Sequence, residues 1–453
     1  MSLAKRRALY ISFILAFFII TPLVIGYAAG YKFRLDGFKV GIDLEKTGML
    51  VLDTKPQGAK IYIDGRPQQQ FLQKLISGKT GYITTPAKIK GLLPGEYDVK
   101  MELDGYWSWE KKLRVDAGAS TYAEDVVLFR NDQPLRLAAG GIEKISLSPD
   151  KNHLAAIGKT AVEVFDLTNG DKSLFKAPGS DARWSPDSDR LLIGGRVYPM
   201  DAPAAPADLT PYFGKERVSF KWAADDSDDL YFFDPEKNTI GSFNLNSKKM
   251  ASLLVDKNKI DDYLVKGKNL FYLEKNKDEA VLKVMSLATG ENIGSLKVPP
   301  FPEYAFINPD DGYINLYDKT RQILYLIDPF SPVPLQETIN DIKDTSWVSG
   351  SKLLYTNDSE IWIEDMSNKE KTILTRLGSP IEKAIWHPSN NYVVFSTDKA
   401  IDIIELDDRE KRSITEIFKS DGISSPVLNS KGDALYFLRR AGNDEGLYKL
   451  NIR

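Results

Sequence analysis

The stretch "ARWSPDSDRLLIGG", residues 182–195, decides the fold because its plan recurs along the chain. A short apolar strand is followed by a polar turn that contains proline, and a second apolar strand follows the turn. The same plan occurs in "SLSPDKNHLAAIG" (146–158) and in "AIWHPSNNYVVFSTD" (384–398). A third strand usually comes next, as in "VEVFDLTNG" (162–170), and then a short fourth, as in "KSLFKA" (172–177). The repeated unit therefore has four short strands.

The spacing of the units predicts how many there are. One apolar residue precedes each polar turn, and the eight such residues are Leu147, Trp184, Trp222, Leu264, Ile307, Trp347, Trp386 and Leu428. Successive members lie 37, 38, 42, 43, 40, 39 and 42 residues apart. Four-stranded units of this length are typical of the blades of a β-propeller. Residues 134–453 are therefore predicted to form an eight-bladed propeller, or a seven-bladed one if one unit is misread.

The two ends of this region predict how the ring closes. The last unit stops at "LYKLNIR" (447–453) and lacks a fourth strand, whereas a spare strand, "PLRLAA" (134–139), precedes the first unit. We expect the spare strand to join the last blade, because ring closure removes the exposed edges that an open sheet would leave.

The units resemble the TolB-type propeller repeat, a relative of the WD-type repeats, whose core reads Trp-Ser-Pro-Asp-Gly. Trp184-Ser185-Pro186-Asp187 matches that core best, and units four and eight, which lack the proline, match least. The resemblance implies a propeller of the kind that binds its partners through loops on one face.

The amino-terminal segment predicts a membrane anchor. The basic residues Lys5-Arg6-Arg7 precede 23 residues (8–30) that carry no charge. A helix of that length extends roughly 34 Å, enough to cross a hydrocarbon core of about 30 Å. The basic residues favour a cytoplasmic tail (1–7) and an extracytoplasmic location, periplasmic or extracellular, for everything after residue 30. The alternative is a cleaved secretory signal, with Gly26-Tyr27-Ala28 as the cleavage site.

A small β-sandwich is predicted at residues 48–130, after a spacer at 31–47. Lys55-Pro56-Gln57-Gly58 suits a β-turn, and in the strand that follows, Ala59, Ile61 and Ile63 share one face. Further strands alternate in the same way, as in "EYDVKMEL" (96–103). The pattern is that of an antiparallel sandwich.

This region resembles the PEGA domain, which is named for a Pro-Glu-Gly-Ala turn. Here the turn reads Pro56-Gln57-Gly58-Ala59, so a glutamine stands where the family has glutamate. The resemblance covers roughly residues 48–130. It implies a non-catalytic β-module, common on surface proteins, that mediates envelope or protein contacts.

Composition limits the possible chemistry. A net charge of −3 gives no basic footprint for nucleic acid, and the chain has no cysteine and only two histidines, His153 and His387. No Gly-x-Ser-x-Gly motif occurs. The acidic loops at 225–229 and 308–312 offer oxygen ligands but lack the pattern of a calcium loop. No catalytic residue, cofactor or metal site is predicted, and the two histidines are interpreted as surface turn residues.

Three neighbouring aromatic residues, Tyr106, Trp107 and Trp109, are candidate binding residues. In a strand Trp107 and Trp109 share one face and Tyr106 takes the other. Either they form a contact surface, against the propeller, a partner or glycan, or they pack in the ordinary way. The proline-rich stretches 198–213, 298–304 and 328–334 are further candidate recognition loops.

The sequence therefore predicts an all-β, single-pass bacterial envelope protein that is not an enzyme. Its expected role is that of a scaffold or receptor that binds an envelope protein or glycan through the propeller face. Two alternatives remain. One is an accessory of an envelope assembly or secretion complex, and the other is an envelope glycan hydrolase with a carboxylate site in the propeller funnel.

Overall fold

The computed structural model describes residues 3–34, 43–69, 81–175, 182–202, 205–213, 218–300, 303–307, 312–349 and 351–453. The chain divides into two compact units. The first consists of Met1–Asp132, the segment Glu405–Ile417 and Arg453. The second consists of Gln133–Ile404 and Phe418–Ile452.

The first unit begins with helix α1 (Leu3–Ala28), which contains Pro22. Within the described residues it is the one helix that is long and apolar enough to cross a membrane, over Lys5–Gly26. The apolar side chains of this span are exposed. A signal sequence would have the same length and composition, so the helix itself is compatible with both sequence predictions.

The predicted spacer contains a two-stranded antiparallel sheet, β1 (Tyr31–Arg34) with β2 (Asp43–Lys46). This pairing brings residue 47 back to the end of the helix. The carbonyl of Gly30 accepts hydrogen bonds from both the backbone N–H and the hydroxyl of Thr47, each at 2.7 Å.

The β-sandwich has two sheets around one core. One sheet has the strand order β6-β3-β9, with β3 (Gly48–Lys55), β6 (Ala87–Leu92) and β9 (Ser120–Val127). The other has the order β5-β4-β7-β8, with β4 (Lys60–Ile63), β5 (Arg66–Pro67), β7 (Gly95–Glu102) and β8 (Trp109–Val115). The predicted inward residues are buried, including Ala59, Ile61 and Ile63. The prediction of a wholly antiparallel module is wrong, because β3 and β9 pair in parallel.

The second unit is built on eight four-stranded antiparallel sheets, counted over the described residues. Sheet 1 has β11 (Ile142–Leu147), β12 (His153–Gly158), β13 (Val162–Asp166) and β14 (Lys172–Phe175). Sheet 2 has β15 (Ala182–Trp184), β16 (Arg190–Ile193), β17 (Arg196–Pro199) and β18 (Ala207–Asp208), followed by the short helix α2 (Thr210–Phe213). Sheet 3 has β19 (Ser219–Trp222), β20 (Asp229–Asp234), β21 (Thr239–Asn244) and β22 (Met250–Val255). Sheet 4 has β23 (Lys259–Lys266), β24 (Asn269–Lys275), β25 (Ala280–Ser286) and β26 (Asn292–Val298).

The remaining sheets follow the same plan. Sheet 5 has β27 (Tyr304–Phe306), β28 (Ile314–Asp318), β29 (Ile323–Ile327) and β30 (Leu335–Ile339). Sheet 6 has β31 (Asp344–Ser349), β32 (Lys352–Thr356), β33 (Glu360–Asp365) and β34 (Glu370–Arg376). Sheet 7 has β35 (Ile381–Trp386), β36 (Tyr392–Thr397), β37 (Ala400–Glu405) and β38 (Ile414–Lys419). Sheet 8 has β39 (Ile423–Leu428), β40 (Ala434–Arg439) and β41 (Gly446–Asn451), with a 3₁₀ turn at Gly442–Asp444, and its fourth strand is β10 (Leu135–Ala139).

The sheets close into a ring, so the second unit is a β-propeller. From sheet 1 to sheet 6, buried apolar side chains pack each sheet against the next one. Sheets 6, 7 and 8 are in contact through the first strand of each, β31, β35 and β39. Another apolar cluster joins sheet 8 to sheet 1. Strand β10 pairs antiparallel with β41, with Leu135 opposite Lys449, which confirms the predicted role of the spare strand. The propeller prediction is confirmed by this topology.

Candidate functional site

The three aromatic residues singled out from the sequence lie at one end of the sandwich core. Trp109 is the first residue of β8 and is only 4% exposed, within the core. Tyr106 and Trp107 precede the strand and are half-buried, and the backbone N–H of Trp107 donates to the carbonyl of Phe129 at 2.8 Å. The side chain of Trp109 therefore has almost no surface left for a ligand, which agrees with the alternative that it packs in the core. A binding role for Tyr106 and Trp107 stays a prediction.

A buried cluster of charges lies beside Trp109 in the first unit. Strand β8 buries every second residue, and Lys111 occupies one of these inward positions with its side chain 1% exposed. Its ammonium lies 3.3 Å from Oε2 of Glu405 and 3.1 Å from Oδ2 of Asp407, and it donates to the Asp407 carbonyl at 2.6 Å. The indole N–H of Trp109 donates to the same Glu405 oxygen at 3.3 Å. One lysine therefore satisfies two carboxylates of the segment Glu405–Ile417.

The pKa values of the two carboxylates are shifted in opposite directions. Burial raises the pKa of Glu405, although Lys111 opposes the shift. Burial alone would also raise the pKa of Asp407, but hydrogen bonds from Arg409 and Lys111 outweigh it and lower that pKa to about 2. Arg409 also donates to the carbonyl of Tyr122 at 2.8 Å. The cluster therefore fixes the two carboxylates through Lys111 and Arg409.

The polar turns of the repeats form a second network, which we call the turn belt. Among the described residues, hydrogen bonds between turns join sheet 1 to sheet 2, sheet 2 to sheet 3, sheet 3 to sheet 4, sheet 7 to sheet 8 and sheet 8 to sheet 1. The bonds in the described turns join Asp150 N to Ser188 Oγ, Asp187 N to Ser227 Oγ, Gly267 N to Asp225, His387 Nε2 to the Gly432 carbonyl, and Ser430 to Lys151 and Asn152. The two bonds of Ser430 connect sheet 8 to sheet 1.

The two histidines lie in or beside the repeat turns, and their side chains are wholly or partly buried. His387 takes the place that Ser185 has in sheet 2, since both backbone N–H groups bond across the same turn, His387 to Tyr392 and Ser185 to Arg190. His387 is fully buried, and His153 at the start of β12 is half-buried. The interpretation as a surface residue is therefore wrong for His387, whereas His153 is partly exposed. A histidine fits there because its ring can bond with two neighbours, Ser389 and Gly432.

In the acidic loop 225–229, two aspartates accept hydrogen bonds from backbone N–H groups. Asp225 caps the backbone N–H of Gly267, and Asp226 caps that of Asp228. Among the described residues, no group of three or more acidic or histidine side chains could hold a metal ion. The loop 308–311 lies outside the described residues. On the first strands, Asp262 pairs with Lys221 and accepts from the N–H of Phe306.

A cavity of about 760 Å³ lies at the seam between sheets 1 and 8. Its lining includes Gly140 and Gly141, where the chain crosses from β10 to β11, and the basic residues Lys159 and Arg440. The volume falls in the range of small-molecule sites. The guanidinium of Arg440 donates to the carbonyl of Glu143 at 2.5 Å, so this positive group already has a hydrogen-bond partner within the protein.

The proline-rich loop 328–334 forms an exposed apolar surface. Phe330 and Val333 are 63% and 66% exposed. The loop is closed by the N–H of Asp328, which donates to the Pro334 carbonyl at 2.8 Å, and the N–H of Phe330 donates to the Asp328 carboxylate at 3.1 Å. The Pro329 carbonyl lies 3.8 Å from where a Cβ on Gly294 would be, so the loop adjoins β26, whose Ile293 is also exposed. We call Phe330 and Val333 the apolar patch.

Sequence reasoning identified the loop of the apolar patch but missed the charge cluster. The signal for Lys111 was present in "WEKKLRV", where alternation places Lys111 on the face of Trp109 and Leu113. Its partners could not be identified, since Glu405 lies 294 positions along the chain.

Comparisons with known proteins bear on the fold alone. No family model and no curated protein matches this sequence. Similar solved structures include the C-terminal WD40 domain of Sif2, at 13% identity and a TM-score of 0.46, covering 70% of this chain and 98% of that one. The Dos1 propeller is similar at 14% identity and a TM-score of 0.47, covering 72% and 96%. A eukaryotic initiation factor is similar at 14% identity and a TM-score of 0.46, covering 72% and 90%. The propeller assignment rests on the strand topology above, and the resemblance of residues 48–130 to the PEGA domain stays a prediction.

Proposed function

We propose that this protein is a non-catalytic, membrane-anchored scaffold of a bacterial cell envelope that binds a protein partner through its propeller. The observation that carries the proposal is the apolar patch. Isolated exposed apolar side chains are common on soluble proteins, but here two large ones, Phe330 and Val333, lie three positions apart in one short proline-rich loop. Apolar side chains grouped in this way favour a protein surface as the ligand.

The loop is also preorganised. Three prolines, Pro329, Pro332 and Pro334, restrict its backbone, and the hydrogen bond between Asp328 and Pro334 closes it. A loop that is already ordered loses little conformational entropy on binding, so more of the contact energy is available as affinity. The propeller supplies a rigid support for this loop.

The anchor is the second element of the proposal. Helix α1 has the length and the exposed apolar surface of a membrane span, and the basic residues before it favour an extracytoplasmic propeller. Confinement to a membrane raises the local concentration of the binding surface, so that modest affinity suffices.

The proposal is tested by photocrosslinking in cells that express the full chain. A photoreactive phenylalanine analogue at Phe330 is expected to give a discrete crosslinked protein, and Val333→Ser is expected to weaken that crosslink. The matched control is the analogue at Val255, which is 69% exposed but lies on the outer strand of sheet 3.

The outcomes separate the alternatives. A crosslink from Phe330 to a subunit of an envelope assembly complex would make the protein an accessory of that complex. Equal and diffuse crosslinking from residues 330 and 255 would contradict the proposed patch. Turnover of an envelope glycan by the purified chain would contradict the non-catalytic role.

A further inference from the structure

The end of the sandwich next to α1 is fixed to the helix by hydrogen bonds. The Gly30 carbonyl, two residues beyond the helix, accepts both hydrogen bonds from Thr47, and β1 and β2 pair along four residues between these two points. Since Thr47 immediately precedes β3, the first strand of the sandwich starts at the end of the helix. The described residues of the connection, 31–34 and 43–47, therefore tie the sandwich to the end of the helix.

A loop of the sandwich is attached to the same point. The N–H of Gly118 donates to the Thr47 carbonyl at 3.1 Å, and the N–H of Met49 donates to the Ala119 carbonyl at 3.0 Å. Each hydrogen bond spans about 3 Å, so loop 116–119 lies within roughly 10 Å of Gly30.

A second loop lies at this end of the sandwich. Leu92 pairs with Gly48 at the start of β3, and Gly95 pairs with Val115 just before loop 116–119. Loop 92–95 therefore reaches the same edge, where Pro94 is exposed. We call loops 92–95 and 116–119 together the proximal edge.

The helix sets the depth of the proximal edge. The uncharged part of the helix, residues 8–28, extends about 30 Å, which is the thickness of a hydrocarbon core. Polar headgroups occupy roughly 5–8 Å beyond the core on each side. Gly30 lies two positions after Ala28, the end of the helix, and so falls at the level of the headgroups.

The chemistry of the proximal edge suits that level. Its exposed residues Ala117, Gly118 and Ala119 are small, so the backbone can approach a surface closely. The one acidic side chain of loop 116–119, Asp116, is paired with Arg114 at 3.1 Å. The side chain of Lys46 lies against Gly118, with its ammonium 2.7 Å from where a Cβ would be, and supplies a cation at this position.

We infer that the proximal edge rests in the lipid headgroup layer, so that the sandwich is a second, peripheral contact with the bilayer besides the helix. This inference depends on the proposed membrane anchoring by α1. The inference also places the turn 56–59. That turn follows the far end of β3, an eight-residue strand of about 26 Å, and so lies at the edge of the sandwich that is opposite the lipid.

Site-directed fluorescence tests the inference, because a chain without cysteine accepts single labels. The variants Ala117→Cys, Gln57→Cys and Phe17→Cys of the full chain carry an environment-sensitive fluorophore at exposed positions of the proximal edge, the opposite edge and the helix. Each is reconstituted in vesicles of phosphatidylcholine and phosphatidylglycerol. The vesicles contain nitroxide quenchers either on the headgroup or on the acyl chain.

The headgroup quencher is expected to remove most of the fluorescence at residue 117 and little of it at residue 57, while the acyl-chain quencher acts at residue 17. Equal, weak quenching at residues 117 and 57 with strong quenching at residue 17 would overturn the inference and leave the anchor intact. Absence of quenching at residue 17 would overturn the anchor, and the inference with it.

Discussion

The two units hold their parts together in different ways. In the second unit, sheets are joined by apolar seams and, at several junctions, by the hydrogen bonds of the turn belt. In the first unit, the start of the segment Glu405–Ile417 is bound by one cluster, in which the buried Lys111 pairs with the carboxylates of Glu405 and Asp407. In the second unit, stability depends on many similar contacts, whereas the cluster of the first unit depends on the side chain of Lys111. A single substitution should therefore cost much in the first unit and little in a belt turn.

The largest effect is expected for Lys111→Met. Removal of the ammonium leaves Glu405 buried without its counter-charge, and breaking a buried ion pair in this way costs about 3–5 kcal/mol of unfolding free energy. Urea denaturation of the full chain in detergent measures the loss. The control is Lys112→Met, whose side chain is half-exposed and makes surface ion pairs alone. If both variants lose the same stability, the cluster does not have the role given to it.

A smaller effect is expected at the closure of the ring. A Cβ on Gly446 would lie 2.2 Å from the Ala138 carbonyl, so Gly446→Ala pushes β41 away from β10 and should cost about 2 kcal/mol. Gly378→Ala is the control, because no atom lies within 4 Å of its Cβ position. The same denaturation experiment compares them, and a tolerated Gly446→Ala would speak against the close approach of these strands.

The charge cluster also predicts a pH dependence. Because the folded-state pKa of Asp407 is about 2, below its ordinary value of 3.8, its carboxylate contributes stability above about pH 4 that is lost as the pH falls towards 2. Since Asp407 is partly accessible to water, we expect this loss to be about 1 kcal/mol. Glu405 has the opposite sign: its pKa is raised, so its ionisation costs stability near neutral pH.

Two neighbouring variants isolate the contribution of Asp407. Asp407→Asn should flatten the stability profile between pH 4 and 2, whereas Asp408→Asn, on a mostly exposed side chain, should leave it unchanged. Parallel profiles for the two variants would contradict the assignment.

The smallest effect is expected within the turn belt. Ser188→Ala removes the acceptor for the N–H of Asp150, a bond of 3.0 Å between sheets 1 and 2, and should cost about 0.5–1 kcal/mol. The control Ser247→Ala removes a hydroxyl that bonds only within its own exposed turn, to Asn244. A cost for Ser188→Ala as large as that of Lys111→Met would remove the contrast between the two units.

Local patterns were readable from the sequence and long-range partners were not. The turn at Trp184–Asp187, the alternation at Ala59–Ile63 and the spare strand at 134–139 all follow from residues close together in the chain. The parallel pairing of β3 with β9 could not be predicted, because strand order depends on contacts across some 70 residues. Lys111 was missed for the same reason. Phe330 was found within its loop because prolines mark loops locally.

The closed ring is the central claim, and a disulfide across its closure tests it most directly. In the cysteine-free chain, Leu135→Cys with Lys449→Cys places two thiols at paired positions of β10 and β41. Mild oxidation should form the intramolecular bond rapidly, and far more slowly when Lys449→Cys is replaced by Asn451→Cys, two positions along the same strand. Failure of the paired variant to crosslink, or equal crosslinking of both, would contradict the closed ring.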